Sequence, residues 1–230
     1  MPGRRAKPGE AGGTVRAAPS GWLAPPLAAE RLAEALDRAP GARVLAVGSG
    51  CAGGLPAFAQ RGHRVTVSAA PAAAGLGFET GAFDAVVSLF GVSDTADADA
   101  TAAELLRVCR PGGRIGLTHW PMSSFPRRVR ALAKGAGSAT GEDAAADRWA
   151  DEGWVERRFS GDALAIHIAD RRAVIRARHP EDVIGAGRSA IRAHPPLAVA
   201  FAALVAASNT ATDGSLRVPV VYTEIIIARR

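Results

Sequence analysis

The interval between Ser68 and Phe83 limits this chain more than any other feature. It separates two strand-like runs, residues 64–67 and 84–88, in a chain that alternates strand and helix on either side. A crossover between parallel strands needs about a dozen residues. The interval therefore holds one crossover, not two with a strand between them. Upstream, Arg43–Val47 is a short apolar run of strand type. It breaks into Gly48-Ser49-Gly50-Cys51-Ala52-Gly53-Gly54, and a helix follows over about residues 54–61. Downstream, residues 98–109 read as a helix, Pro111-Gly112-Gly113 as a turn and 114–118 as a strand. Such alternation specifies an α/β protein with a parallel sheet and crossover helices.

The flanks are less regular. Residues 1–20 are rich in Gly, Pro, Ala and Arg without apolar periodicity, which predicts a disordered tail ahead of a single domain over 21–230. Residues 22–38 carry Leu27, Leu32 and Leu36 at helical spacing, and Pro40-Gly41 ends that helix. Past Trp120 the pattern predicts a basic helix over 125–135, a short helix over 144–153 and strand-like runs at 155–159 and 163–169. Residues 180–208 read as mostly helical, and 216–228 as a strong last strand after an Asp213-Gly214 turn. Glu104, Arg107 and Arg110, at three-residue steps, read as a solvated face with ion pairing, as does the basic run from Arg171 to Arg178. Asp84 reads as the start of its strand.

Composition removes several classes of function. With 230 residues, 48% of them hydrophobic, the chain can build one sizeable core. No apolar run approaches the roughly 20 residues that cross a bilayer, so no membrane association is expected. Arg4, Arg5 and Lys7 are not followed by an apolar stretch, which argues against a secretory signal and for a cytoplasmic protein. Two cysteines, Cys51 and Cys109, suggest neither a disulfide framework nor a metal site. The net charge of +6 is spread along the chain, and seven Phe and one Tyr leave little to stack on bases. Without a helix-turn-helix or zinc-finger pattern, no nucleic-acid partner is expected.

Taken in order, strand, glycine loop, helix, second strand, the 83–92 strand and loop, and the helix with its Pro-Gly-Gly turn resemble the class I S-adenosylmethionine-dependent methyltransferases. The match is to the small-molecule branch often labelled type 11 or type 25. The resemblance implies a Rossmann-like fold, mostly parallel, with an antiparallel pair of C-terminal strands and here without one strand and helix around the family's third strand. It implies S-adenosylmethionine as cofactor and a small-molecule methyl acceptor as partner. Gly48, Ser49 and Gly50 would lie under the methionine end of the cofactor, because glycine lets backbone approach a ligand and a helix N-terminus suits a carboxylate. Ser68 falls where the family places a ribose-binding carboxylate, and Phe90 would line the site. His119, after the strand at 114–118, would serve as general base toward the acceptor. No metal is implied. Ala46, Ala52 and Ser68 depart from the family's acidic, glycine and acidic positions, and the contact loop after its third strand has no counterpart. Those departures support an alternative, a retired methyltransferase fold with a partner-binding or cofactor-independent role. They also leave room for a homodimer in which a second copy completes the site.

Overall fold

The computed structural model describes residues 26–48, 54–92, 95, 97–134, 148–187 and 193–230. The expected tail over 1–20 lies outside the described residues, as do residues 136–147, which include the start of the helix expected over 144–153. Helix α1 (Pro26–Ala35) buries Ala28, Ala29, Leu32 and Ala33, a stripe at three- and four-residue steps that faces a sheet. Strand β1 (Arg43–Val47) is followed by α2 (Leu55–Ala59) and β2 (Arg64–Ser68). Next come β3 (Phe83–Leu89), α3 (Ala98–Val108) and β4 (Cys109–His119). Then follow α4 (Phe125–Lys134), α5 (Glu152–Phe159), β5 (Ala163–Ala177), α6 (Pro195–Ser208) and β6 (Leu216–Arg229).

The strands form one six-stranded sheet in the order β2-β1-β3-β4-β6-β5. β1, β2, β3 and β4 run parallel, while β6 is antiparallel to both β4 and β5. An apolar layer covers each face. One gathers α1, α2, α4 and α6 through Leu32, Phe58, Val129 and Phe201. The other gathers α3, α5 and the 69–82 crossover through Leu105, Phe159 and Leu76. β1 is buried at four of five positions, as expected of a central parallel strand. β2 is the edge strand, and Val67 is 38% exposed there.

The short interval is one crossover, as its length requires. It contains a single 3-10 turn at Ala72–Ala74 and lies against α3. Two backbone groups pin it: the Leu76 N–H donates to Glu104 Oε1 at 2.7 Å, and the Gly81 N–H donates to the Arg107 carbonyl at 2.9 Å. Arg107 grips both oxygens of Glu104, at 2.6 and 2.7 Å, and this pairing holds the Glu104 carboxyl below its usual range. Glu104 is thus more than a solvated residue; it ties α3 to the crossover. Arg110 likewise reaches out of its element and donates to Asp84 Oδ1 at 2.6 Å, while the Arg43 N–H donates to Asp84 Oδ2 at 2.7 Å. Asp84 therefore fastens β3 to its neighbours on both sides.

Three local expectations change. Residues 155–159 are helical, because Asp151 caps α5 by accepting from the Trp154 N–H at 3.1 Å and the helix buries Trp154, Val155 and Phe159. The strand expected over 163–169 extends to Ala177 and carries the basic run, with Arg172 and Arg176 exposed as a solvated face while Ala173, Ile175 and Ala177 face the core. Pro111-Gly112-Gly113 falls within β4, at a register shift against β3, with Gly112 at φ +71°. Among the described residues no helix is long and apolar enough to cross a membrane.

Candidate ligand site at the carboxyl ends of the parallel strands

In open α/β sheets, ligands bind outside the carboxyl ends of the strands. Here the chain leaves β1 at Gly48 and β3 at Phe90-Gly91, and the two exits touch. A Cβ on Gly91 would lie 2.9 Å from Ser88 Oγ and 3.2 Å from Gly48 Cα, and Gly48 itself has φ +92°. Glycine at both positions serves a backbone-to-backbone contact between the loops. Beside it lies a cavity of about 80 Å³, walled by Gly48, Ser88, Gly91, Thr95, Thr101 and the crossover residues Ala69–Ala72.

The polar groups around this cavity are largely engaged with the protein itself. Ser88 Oγ donates to the Val47 carbonyl at 3.0 Å, Thr95 Oγ1 to Val92 at 3.0 Å and Thr101 Oγ1 to Asp97 at 2.6 Å. The Gly48 N–H donates to the Ser68 carbonyl at 2.9 Å. No carboxylate lines the cavity among the described residues. Small-molecule sites span roughly 300–1,000 Å³. The described walls thus offer no carboxylate to a ribose; residues 49–53, 93, 94 and 96, which belong to the same two loops, lie outside the described residues.

The candidate residues separate into different places. Gly48 lines the cavity; Ser49 and Gly50 lie outside the described residues. Ser68 is half-buried at the end of β2 and contributes its backbone carbonyl to Gly48. Phe90 turns into the core. It holds a left-handed backbone, φ +57°, which is uncommon for a bulky residue. Its N–H donates to both oxygens of Thr118, at 3.0 and 3.1 Å, and its ring stacks on Trp120 at 4.1 Å with Tyr222 edge-on at 5.6 Å. His119 ends β4 with no solvent exposure and does not line the cavity. Burial, reinforced by the Arg127 charge, pushes its imidazole down to about 4, so it is neutral near pH 7. Cys109 is buried too, and its thiol is pushed up to about 11, so it is not a thiolate nucleophile.

A second polar group at this end of the sheet escaped the sequence reading. Glu224, 1% exposed, accepts from Arg171 Nε and Nη2 at 3.0 and 2.8 Å through Oε1, while Oε2 has no hydrogen-bond partner among the described residues. Tyr222, two residues earlier on the same face, is fully buried, and its hydroxyl has no hydrogen-bond partner among the described residues. Burial and the Glu224 charge raise its pKa, so it stays protonated. The signal was available: Val218, Val220 and Tyr222 alternate inward, which places Glu224 at a core position. Among the described residues, no three His, Cys, Asp or Glu side chains come together to hold a metal ion.

The sheet order, the antiparallel β5–β6 pair and the loops meeting at the carboxyl ends define an α/β protein with the class I S-adenosylmethionine-dependent methyltransferase fold. Residues 30–117 match the family model described as a methyltransferase domain, and that segment carries the β1-to-β4 core. The chain is 44% identical over 73 residues to an uncharacterised protein of Mycobacterium tuberculosis strain H37Rv, covering 32% of this chain and 26% of that one. It is 31% identical over 126 residues to a demethylmenaquinone methyltransferase of Parafrankia sp., covering 42% of this chain and 49% of that protein. The matched segments thus span between a quarter and a half of those relatives. The YcgJ protein of Bacillus subtilis has a similar fold, with a TM-score of 0.56 at 14% identity over 89% of this chain and 99% of that one.

Proposed function

We propose that this chain is an S-adenosylmethionine-dependent methyltransferase acting on a small molecule. The observation that carries the reading is the match of residues 30–117 to the methyltransferase domain, on a sheet whose loops converge at the carboxyl ends. Demethylmenaquinone methyltransferase among the similar proteins supports a small organic acceptor. The cofactor would supply an electrophilic methyl group; the chain's own contribution is alignment and exclusion of water. Ala69–Ala72 and the Gly48 and Gly91 exits would form part of the wall against which the cofactor lies.

A second reading is favoured by a specific observation. The cavity of about 80 Å³, without a carboxylate among its described walls, is what a fold retired from cofactor binding would keep. Such a protein would act through partners or through cofactor-independent chemistry. Calorimetric titration with S-adenosylmethionine and S-adenosylhomocysteine separates the two. Micromolar affinity, lost on Gly48→Arg, is the expected result for the enzyme. An absence of heat at millimolar ligand, from a protein that melts cooperatively, would sink the enzyme reading and leave the retired fold. A cytoplasmic setting and a single domain over 21–230 accompany both readings.

A further inference from the structure

The β5–β6 hairpin runs on past the rest of the sheet. β4 pairs with β6 only from Thr223 to Ala228, so residues 171–177 and 216–222 continue as a two-stranded ribbon. The ribbon projects beyond the carboxyl end of β4, the side on which this class of sheet binds ligands. One face of it packs Ile175, Leu216, Val218 and Val220 into the core. On the other face the register sets Arg172 opposite Val221, Val174 opposite Pro219 and Arg176 opposite Arg217.

The Arg176–Arg217 pair is anomalous. Like charges directly across an antiparallel pair destabilise it. Neither guanidinium, nor that of Arg178, has an ion-pair or hydrogen-bond partner among the described residues. The three arginines line an open groove of about 590 Å³ with Thr210, Thr212 and Ser215. Asp213 also borders the groove, but its carboxylate accepts from the Ser215 N–H at 3.0 Å and Ser215 Oγ at 2.6 Å. The groove keeps an excess of positive charge.

The loop that presents Arg217 is tightly fixed. Asn209 Oδ1 accepts from the Arg217 N–H at 2.7 Å and the Ala211 N–H at 3.1 Å, and Asn209 Nδ2 donates to the Ser215 carbonyl at 2.8 Å. The Thr210 N–H and Oγ1 both donate to the Arg217 carbonyl at 2.8 Å. Arg217 is therefore held at both its backbone groups, next to a like charge and facing an open concavity. Rigid presentation lowers the entropy cost of binding an anion, and guanidinium forks match phosphate oxygens two at a time.

We propose that this groove binds a phosphate-bearing ligand, gripped between Arg176 and Arg217 with Arg178 as a third donor. The bridging dianion removes the cross-strand repulsion that the bare hairpin carries. This site is separate from the candidate cofactor cavity and stands whether or not the chain transfers methyl groups. Its ligand has two sources, a soluble phosphoester or the headgroup of an anionic lipid. Val174 and Val221, 38% and 40% exposed on the same face, would contact the acyl boundary in the second case.

The test uses the full chain with sodium pyrophosphate, compared with sodium chloride at equal ionic strength, followed by thermal unfolding and calorimetry. The wild type should gain melting temperature with pyrophosphate beyond the chloride control. Arg217→Gln and Arg176→Gln should each weaken pyrophosphate binding by about tenfold or more. Without anion, each should melt at or above the wild-type temperature because the repulsion is gone. Arg64→Gln, an exposed arginine on the far edge strand, should bind as the wild type does. Wild-type affinity in both hairpin variants, or an equal loss in Arg64→Gln, would overturn the site in favour of diffuse attraction to a basic protein. Vesicles of phosphatidylcholine with and without phosphatidic acid identify the source. Binding only to the acidic vesicles, released by pyrophosphate, assigns a headgroup; no vesicle binding beside firm pyrophosphate binding assigns a soluble phosphoester. Vesicle binding untouched by either hairpin substitution counts against the proposal.

Discussion

Gly91 and Gly48 illustrate how little freedom the candidate site leaves to individual residues. A methyl group on Gly91 would press on Ser88 Oγ at 2.9 Å and on two backbone atoms of the β1 exit at 3.2 Å. Gly91→Ala should cost about 2 kcal/mol, read as a lower urea midpoint with an unchanged slope; an unchanged midpoint would show that the loops do not touch. His119 makes a different prediction. Its folded-state value of about 4 lies below the roughly 6.5 of an unfolded imidazole, so the unfolded chain takes up the proton first as pH falls. This contribution is complete above about pH 6.5 and is lost toward pH 4, about 2 kcal/mol of it by pH 5. The difference in stability between wild type and His119→Gln should therefore shrink by that amount between pH 7 and pH 5. A constant difference would place His119 in water. Sequence position correctly located His119 at a strand end, but burial is a property of what packs over it, which no neighbouring residue type announces.

At the level of elements, two polar ties do work that apolar packing does not. Arg171 and Glu224 join β5 to β6 across the register, and the carboxylate is all but sealed from water. Arg171→Ala leaves that charge buried without its partner and should cost about 3 kcal/mol. Adding Glu224→Leu should recover part of the loss, since the uncompensated charge is then gone. Chemical unfolding of the single and double variants checks both, and equal losses in the two would mean that the ion pair itself matters little. Glu104 and Arg107 tie α3 to the crossover in the same way. Their three-residue spacing was legible as an ion pair on a helix. The acceptor role toward the Leu76 N–H was not, because it depends on a segment 28 residues away arriving at that face. The misread 155–159 run has a similar cause: Val155 and Phe159 suit a strand by residue type, and the Asp151 cap with Trp154 decides for a helix.

Across the whole molecule, α6 carries no charged residue from Pro195 to Ser208, yet only Phe201 and Leu204 are buried and Val199 is 70% exposed. Val199→Glu should raise the solubility limit of the protein while shifting stability by less than about 0.5 kcal/mol; a large loss on urea unfolding would mean that the residue packs against something. The sequence alone determined the α/β alternation and the single crossover between β2 and β3, because strand period and linker length are local properties of a chain; the antiparallel final pair came from the family resemblance. It also marked Ala46 and Ser68 as departures from a carboxylate-bearing site. Only the tertiary structure decided where the crossover would lie. Glu104 draws it against α3, and Ala69–Ala72 then wall a cavity of about 80 Å³ beside Gly48 at the carboxyl end of β1. The same holds for Arg176 and Arg217, which are 41 positions apart by their numbers and become neighbours only through strand register. Volume and proximity come from which distant surfaces pack together, and that is fixed by the sum of the contacts in the folded chain.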